Sequence, residues 1–167
     1  MHVKDKIMTL TLKIVLVSAL LVSTTLMAKP MGKMDLINQA RKDVGEMTPK
    51  KLKFLLDEAE DVIVLDVRES EQRSEGSIPY DDMTKENFFT VTRGNLEWKI
   101  DKMIPDKDAL IVTYCRRGGR GALAAEVLRK MGYKHATTLK GGLKGWAKAG
   151  YHIQTGLGVT VLQNAKK

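Results

Sequence analysis

Two short apolar runs constrain the fold of this chain more than any other feature. One is Val62 to Val67, broken only by Asp66 and closed by Arg68; the other is Ala109-Leu110-Ile111-Val112-Thr113-Tyr114. The first is apolar without alternation. That is the pattern of a strand covered on both faces, as in a parallel sheet held between helices, whereas a sheet wetted on one side alternates apolar and polar residues. Ala136-Thr137-Thr138-Leu139 reads as a further strand.

Helical patterns separate these runs. Residues 34–44 space their apolar positions like an amphipathic covering helix stopped by Gly45. Thr48-Pro49 offers an N-cap followed by a proline in the first turn, and Leu52, Leu55, Leu56 and Ala59 form one apolar face of a helix ending near Glu60. Glu69 to Glu75 is a short polar helical piece, and Gly76-Ser77-Ile78-Pro79 a turn. Ala122, Leu123, Ala125, Val127, Leu128 and Met131 line a longer helix ended by Gly132, and Gly141-Gly142 opens a last one carrying Leu143, Trp146 and Ala147. Alternating strands and helices predict an α/β fold with a mainly parallel sheet, and 167 residues suit one domain.

Tyr114-Cys115-Arg116-Arg117-Gly118-Gly119-Arg120 falls between the second strand and the long helix. A strand-to-helix turn aims successive backbone N–H groups and a helix N-terminus into one cradle, which favours an anion. The same field favours a thiolate over a thiol. Arg116, Arg117 and Arg120 add fixed positive charge with forked donors suited to an oxyanion, and Gly118, Gly119 and Gly121 permit a tight curl. A buried structural cysteine beside a solvated basic turn is the plainer reading, and this flanking argues against it. Asp66 and Arg68 end the first strand, where α/β folds place their sites. A local ion pair or loop-fixing hydrogen bonds suits them better than direct catalysis. Residues 80–108 are the least legible; within them Arg93 and Trp98 are candidates for a pocket mouth, the plainer readings being a solvated arginine and a core tryptophan.

Residues 1–28 combine a charged start, an apolar middle and a small residue before a polar restart, as in a secretory signal peptide cleaved after Ala28. Leu26 and Lys13 leave an uncleaved anchor open, and with it contact with a membrane. Either way the folded part is expected to be periplasmic or otherwise exported. In that compartment the single cysteine has no intramolecular disulfide partner, so it reads as a reactive thiol or an intermolecular one. One cysteine and three histidines make a zinc or iron–sulfur site an unsuitable expectation, and no cofactor is expected. The net charge of +8 suits small anions better than nucleic acid, because aromatics are 5% of the chain and no basic helix or stacking platform stands out.

In this order the pieces resemble a single-domain rhodanese of the rhodanese-like sulfurtransferase family. The resemblance rests on Val64-Leu65-Asp66-Val67-Arg68-Glu69, Gly76-Ser77-Ile78-Pro79, Arg93-Gly94-Asn95-Leu96-Glu97-Trp98, Tyr114 through Arg120, and Gly141 through Tyr151. It spans roughly residues 48–153, and five separated motifs agree in order and spacing. Two places depart: the family usually has His where Ser77 stands, and a short Gly-Ala turn at Tyr80-Asp81-Asp82. The resemblance implies a rhodanese fold with a five-stranded, mainly parallel sheet flanked by helices, and a domain at 48–155 between the covering segment 29–47 and a peripheral tail 156–167. It implies Cys115 as the nucleophile that carries a persulfide, with Arg116 to Gly121 binding a small anionic sulfur donor such as thiosulfate. A thiol, cyanide or a protein is the implied sulfur acceptor. A persulfide carrier or non-turnover binding module is the alternative. A cysteine phosphatase or arsenate reductase fits less well, since their pattern has five residues between Cys and Arg and four intervene here.

Overall fold

The computed structural model describes residues 30–161. The segment 1–28 read as a signal peptide, and residues 162–167 of the tail, lie outside the described residues. Five parallel strands, β1 (Glu46–Met47), β2 (Val62–Asp66), β3 (Phe88–Thr90), β4 (Leu110–Tyr114) and β5 (Thr137–Leu139), form one sheet in the order β1-β5-β4-β2-β3. The helices are α1 (Lys33–Val44), α2 (Pro49–Asp57), α3 (Ser70–Arg73), α4 (Leu96–Met103), α5 (Gly119–Lys130) and α6 (Gly142–Lys148). None of the described helices is long and apolar enough to cross a membrane.

The continuous apolar runs have the expected cause: the sheet is covered on both faces. Leu65, Val67, Ile111 and Cys115 face one cluster with Ile100 of α4 and Ala124, Ala125 and Leu128 of α5. Val62, Val64, Val112 and Tyr114 face the other, with Leu52 and Leu55 of α2 and Leu143 and Trp146 of α6. Alternate residues of each strand therefore serve opposite clusters, and a polar residue within either run would lie against a helix layer. Helix α2 starts as read, with Thr48 Oγ1 accepting from the Lys51 N–H at 3.2 Å and Pro49 in the first turn.

Two strands have no clear sequence signal. β1 pairs with β5 through only Glu46 and Met47, inside the segment assigned to the covering helix, and β3 emerges from the illegible stretch as Phe88–Thr90. Residues 153–160 form an antiparallel hairpin, β6 (Ile153–Thr155) with exposed β7 (Gly158–Thr160), in which Ile153 is buried in the core and Gln154 is tied to Ser77 of the 76–79 turn.

The strand order sets the position of the site. The connection from β2 runs to β3 on one side of it, while β4 lies on its other side and continues towards β5. Asp66 and Tyr114 end these neighbouring strands in register. The crevice between the carboxyl ends of diverging strands is where open α/β sheets place ligands, and here the 67–76 and 115–121 loops flank it.

Candidate active site

Cys115 follows the last residue of β4 and is 3% exposed, yet it lines an open cavity of ≈ 290 Å³ together with Arg116, Arg117, Gly119 and Arg120. The first backbone hydrogen bond of α5 is donated by Ala122 to Gly118 O at 2.9 Å. Among the described residues, the N–H groups of Arg116 through Gly121 therefore have no backbone acceptor. Six consecutive donors without a backbone acceptor at a helix start are suited to an anion, and no side chain of the described residues accepts from them.

Glycine geometry holds this loop in place. Gly118 sits at φ +87° as the N-cap of α5. Gly142, at φ +59°, brings α6 so close that a Cβ there would lie 2.2 Å from Cys115 O. That approach lets Leu143 N–H donate to Cys115 O at 2.9 Å and Lys144 N–H to Arg116 O at 3.0 Å, so the start of α6 locks the carbonyls while the N–H groups stay free. On the other side α1 covers the start of α5, and a Cβ on Gly119 would touch Ile37 Cδ1 at 3.1 Å.

Asp66 and Arg68 form a buried ion pair, as the structural reading expects. Arg68 Nη2 donates to Asp66 Oδ2 at 2.6 Å and Nε to Oδ1 at 2.9 Å, with both side chains almost wholly buried. Burial opposes the charge of Arg68, but the Asp66 carboxylate outweighs it and raises the guanidinium above its ordinary value. The remaining donors fix the neighbouring loop: Nη1 donates to Gln72 O at 3.0 Å and Nη2 to Gly76 O at 2.8 Å. Burial, then the nearby Asp66 charge, pushes the Tyr114 phenol far up, so it stays protonated at physiological pH.

That fixed loop faces the arginines. Glu75 Oε2 lies 2.8 Å from Arg116 Nε, Arg120 Nη2 donates to Gln72 Oε1, and Arg120 Nη1 is 3.6 Å from Glu69. Glu69, Gln72 and Glu75 are functional neighbours that sequence reasoning missed. Their sequence signal is the short polar stretch Glu69 to Glu75 that directly follows Arg68. Arg93 and Trp98 do not join the cavity lining. Arg93 pairs with Glu97 on α4 at 2.8 Å, and Trp98 is 85% exposed rather than in the core, because the buried positions of α4 are Leu96 and Ile100.

The structure is thus an α/β protein with a parallel five-stranded sheet and an arginine-rich cysteine loop at its switch point. A family model for the rhodanese-like domain matches residues 48–149, and the chain belongs to that family. A sulfurtransferase from Allochromatium vinosum is 28% identical over 110 residues, covering 66% of this chain and 94% of its own. Two solved structures share the fold. The polysulfide-sulfur transferase homodimer of Wolinella succinogenes is 28% identical with a TM-score of 0.58, over 69% of this chain and 81% of that one. A Rhodopseudomonas palustris protein of unknown function, a possible tyrosine phosphatase, is 29% identical with a TM-score of 0.65, over 75% and 96%.

Proposed function

We propose that this sulfurtransferase works through a persulfide on Cys115. The observation that carries the reading is that six consecutive N–H groups without a backbone acceptor among the described residues directly follow the only cysteine, and that Arg116, Arg117 and Arg120 line the same cavity as its thiol. With thiosulfate as donor, the Cys115 thiolate attacks the outer sulfur. A new S–S bond forms to Cys115, the old one breaks, and sulfite leaves with the bonding pair. The resulting Cys115 persulfide anion rests in the N–H cradle. Cyanide or a thiolate then attacks its terminal sulfur, giving thiocyanate or a new persulfide and returning the Cys115 thiolate. Every stage keeps negative charge at one place, which preorganised donors stabilise without reorganisation. Arg116, Arg117 and Arg120 would hold the donor's oxygens, while Asp66 and Arg68 position the facing loop.

A carrier that loads sulfur and delivers it only to a protein partner is the second reading, supported by the open cavity mouth. Steady-state turnover from thiosulfate to cyanide, abolished in Cys115→Ser, supports the enzyme; loading without turnover supports the carrier. The Rhodopseudomonas relative raises a phosphatase reading for this chain. Four residues between Cys115 and Arg120 make a tighter loop than phosphatases use, so hydrolysis of a phenyl phosphate is expected to be absent, and its presence overturns the proposal. Export, read from residues 1–28, is part of the proposal, and the mass of the protein secreted by its host tests it.

A further inference from the structure

The positive charge around Cys115 is largely balanced before any ligand arrives. Of the three arginines, Arg116 faces Glu75 and Arg120 faces Glu69 and Gln72; exposed Arg117 has no ion-pair partner among the described residues. The Arg116–Glu75 pair is also imperfect. Its 2.8 Å separation is short, but Arg116 Nε, shielded from solvent, has no aligned hydrogen-bond acceptor. Charge holds the pair together without the directional bond that a bidentate ion pair makes. The backbone beside Glu75 is anchored, because the carbonyl of the next residue, Gly76, accepts from buried Arg68, while the Glu75 side chain itself is exposed.

We infer that Glu75 is a specificity-determining residue, whose carboxylate beside Arg116 sets the site against dianionic sulfur donors and in favour of monoanionic ones such as an organic persulfide. The inference rests on the reading that the donor enters the cavity over Cys115. The three guanidinium groups that line the cavity and the two carboxylates beside them sum to a single positive charge, and a dianion exceeds it. Such a donor must displace Glu75 from Arg116 or sit beside it. Repulsion by a fixed charge scales with the charge of the incoming ion, so a dianion is penalised twice as strongly as a monoanion in free energy.

The test uses the full-length protein and a reaction that needs no sulfur transfer. Alkylation of Cys115 by neutral iodoacetamide is followed by mass, with protection by sulfate and by nitrate measured at constant ionic strength. In Glu75→Gln the protection constant for sulfate should tighten about fivefold, the upper end for a solvent-accessible ion pair, and that for nitrate only about twofold, as half the charge requires. Glu75→Asp, which keeps the charge, should retain the parental ratio of sulfate to nitrate. In the transfer assay, Glu75→Gln should lower the thiosulfate KM more than that of a monoanionic persulfide donor. Equal changes for both ions, no change, or a Glu75→Asp that behaves like Glu75→Gln would overturn the inference. If sulfate discrimination shifts as described while neither thiosulfate nor an organic persulfide ever loads Cys115, the persulfide proposal fails and the role of Glu75 stands; the converse result separates them the other way.

Discussion

Replacing Gly142 by Ala should cripple the cysteine loop, and the size of the effect follows from the contacts. The added Cβ would lie 2.2 Å from Cys115 O, 2.6 Å from Gly118 N and 3.0 Å from Arg116 C, all backbone atoms that no rotamer change can move. Reaching ordinary contact requires α6 and the loop to part by more than about 1 Å, because interiors this closely packed have no slack. That displacement breaks the bonds from Leu143 to Cys115 and from Lys144 to Arg116, worth about 1 kcal/mol each. Holding a Cβ residue at φ +59° adds roughly 1–2 kcal/mol. The total of about 3–4 kcal/mol is a large share of the roughly 5–15 kcal/mol typical of a domain. Gly132→Ala is the control: its φ is +96° but nothing lies within 4 Å of the added Cβ, so only the backbone term applies. Urea denaturation of both variants, with thiosulfate turnover, measures the difference. If Gly142→Ala loses no more stability than Gly132→Ala, the claim that α6 locks the cysteine loop is wrong.

Three further outcomes are expected. Asp66→Asn strands buried Arg68 and should cost about 3–5 kcal/mol in denaturant unfolding, whereas Asp66→Asn with Arg68→Met should recover part of the loss, since removing both charges is milder than removing one. Gly121→Ala places a Cβ 2.7 Å from Thr138 Oγ1, which donates to Thr113 O; combined with Thr138→Ala it should be less harmful than the two single losses added together, as a double-mutant cycle will show. The hydrogen bond from Lys107, then that from Tyr133, holds the Asp101 carboxyl below its ordinary value. The stability it adds is present above about pH 4, the unfolded carboxylate range, and is lost as pH falls through the lowered folded value. Asp101→Asn should therefore differ from the parent at neutral pH and converge with it in strong acid.

The legible parts of the fold were those that carry their own physical signature. β2 and β4 announced themselves because burial on two faces removes alternation, and α2 because Thr48 and Pro49 mark a helix start. β1 did not, since two residues, Glu46 and Met47, are too few for any period, and β3 was hidden because its residues are only half covered at the sheet edge. Within the site, Cys115 and its glycines were readable from local spacing. The facing carboxylates were not, because Glu75 meets Arg116 only after β2 and β4 are laid side by side. Trp98 misled for a related reason: large aromatics are usually buried, but its position on α4 points away from the layer that Leu96 and Ile100 face.

The central claim is that Cys115 carries sulfur, and intact mass tests it most directly. The purified protein is measured before and after thiosulfate, with and without reductant, beside Cys115→Ser. The account predicts a reductant-sensitive gain of about 32 Da, one sulfur, by transfer to the thiolate, absent from the variant. No gain with either thiosulfate or a monoanionic organic persulfide as donor, or an equal gain in Cys115→Ser, would contradict it.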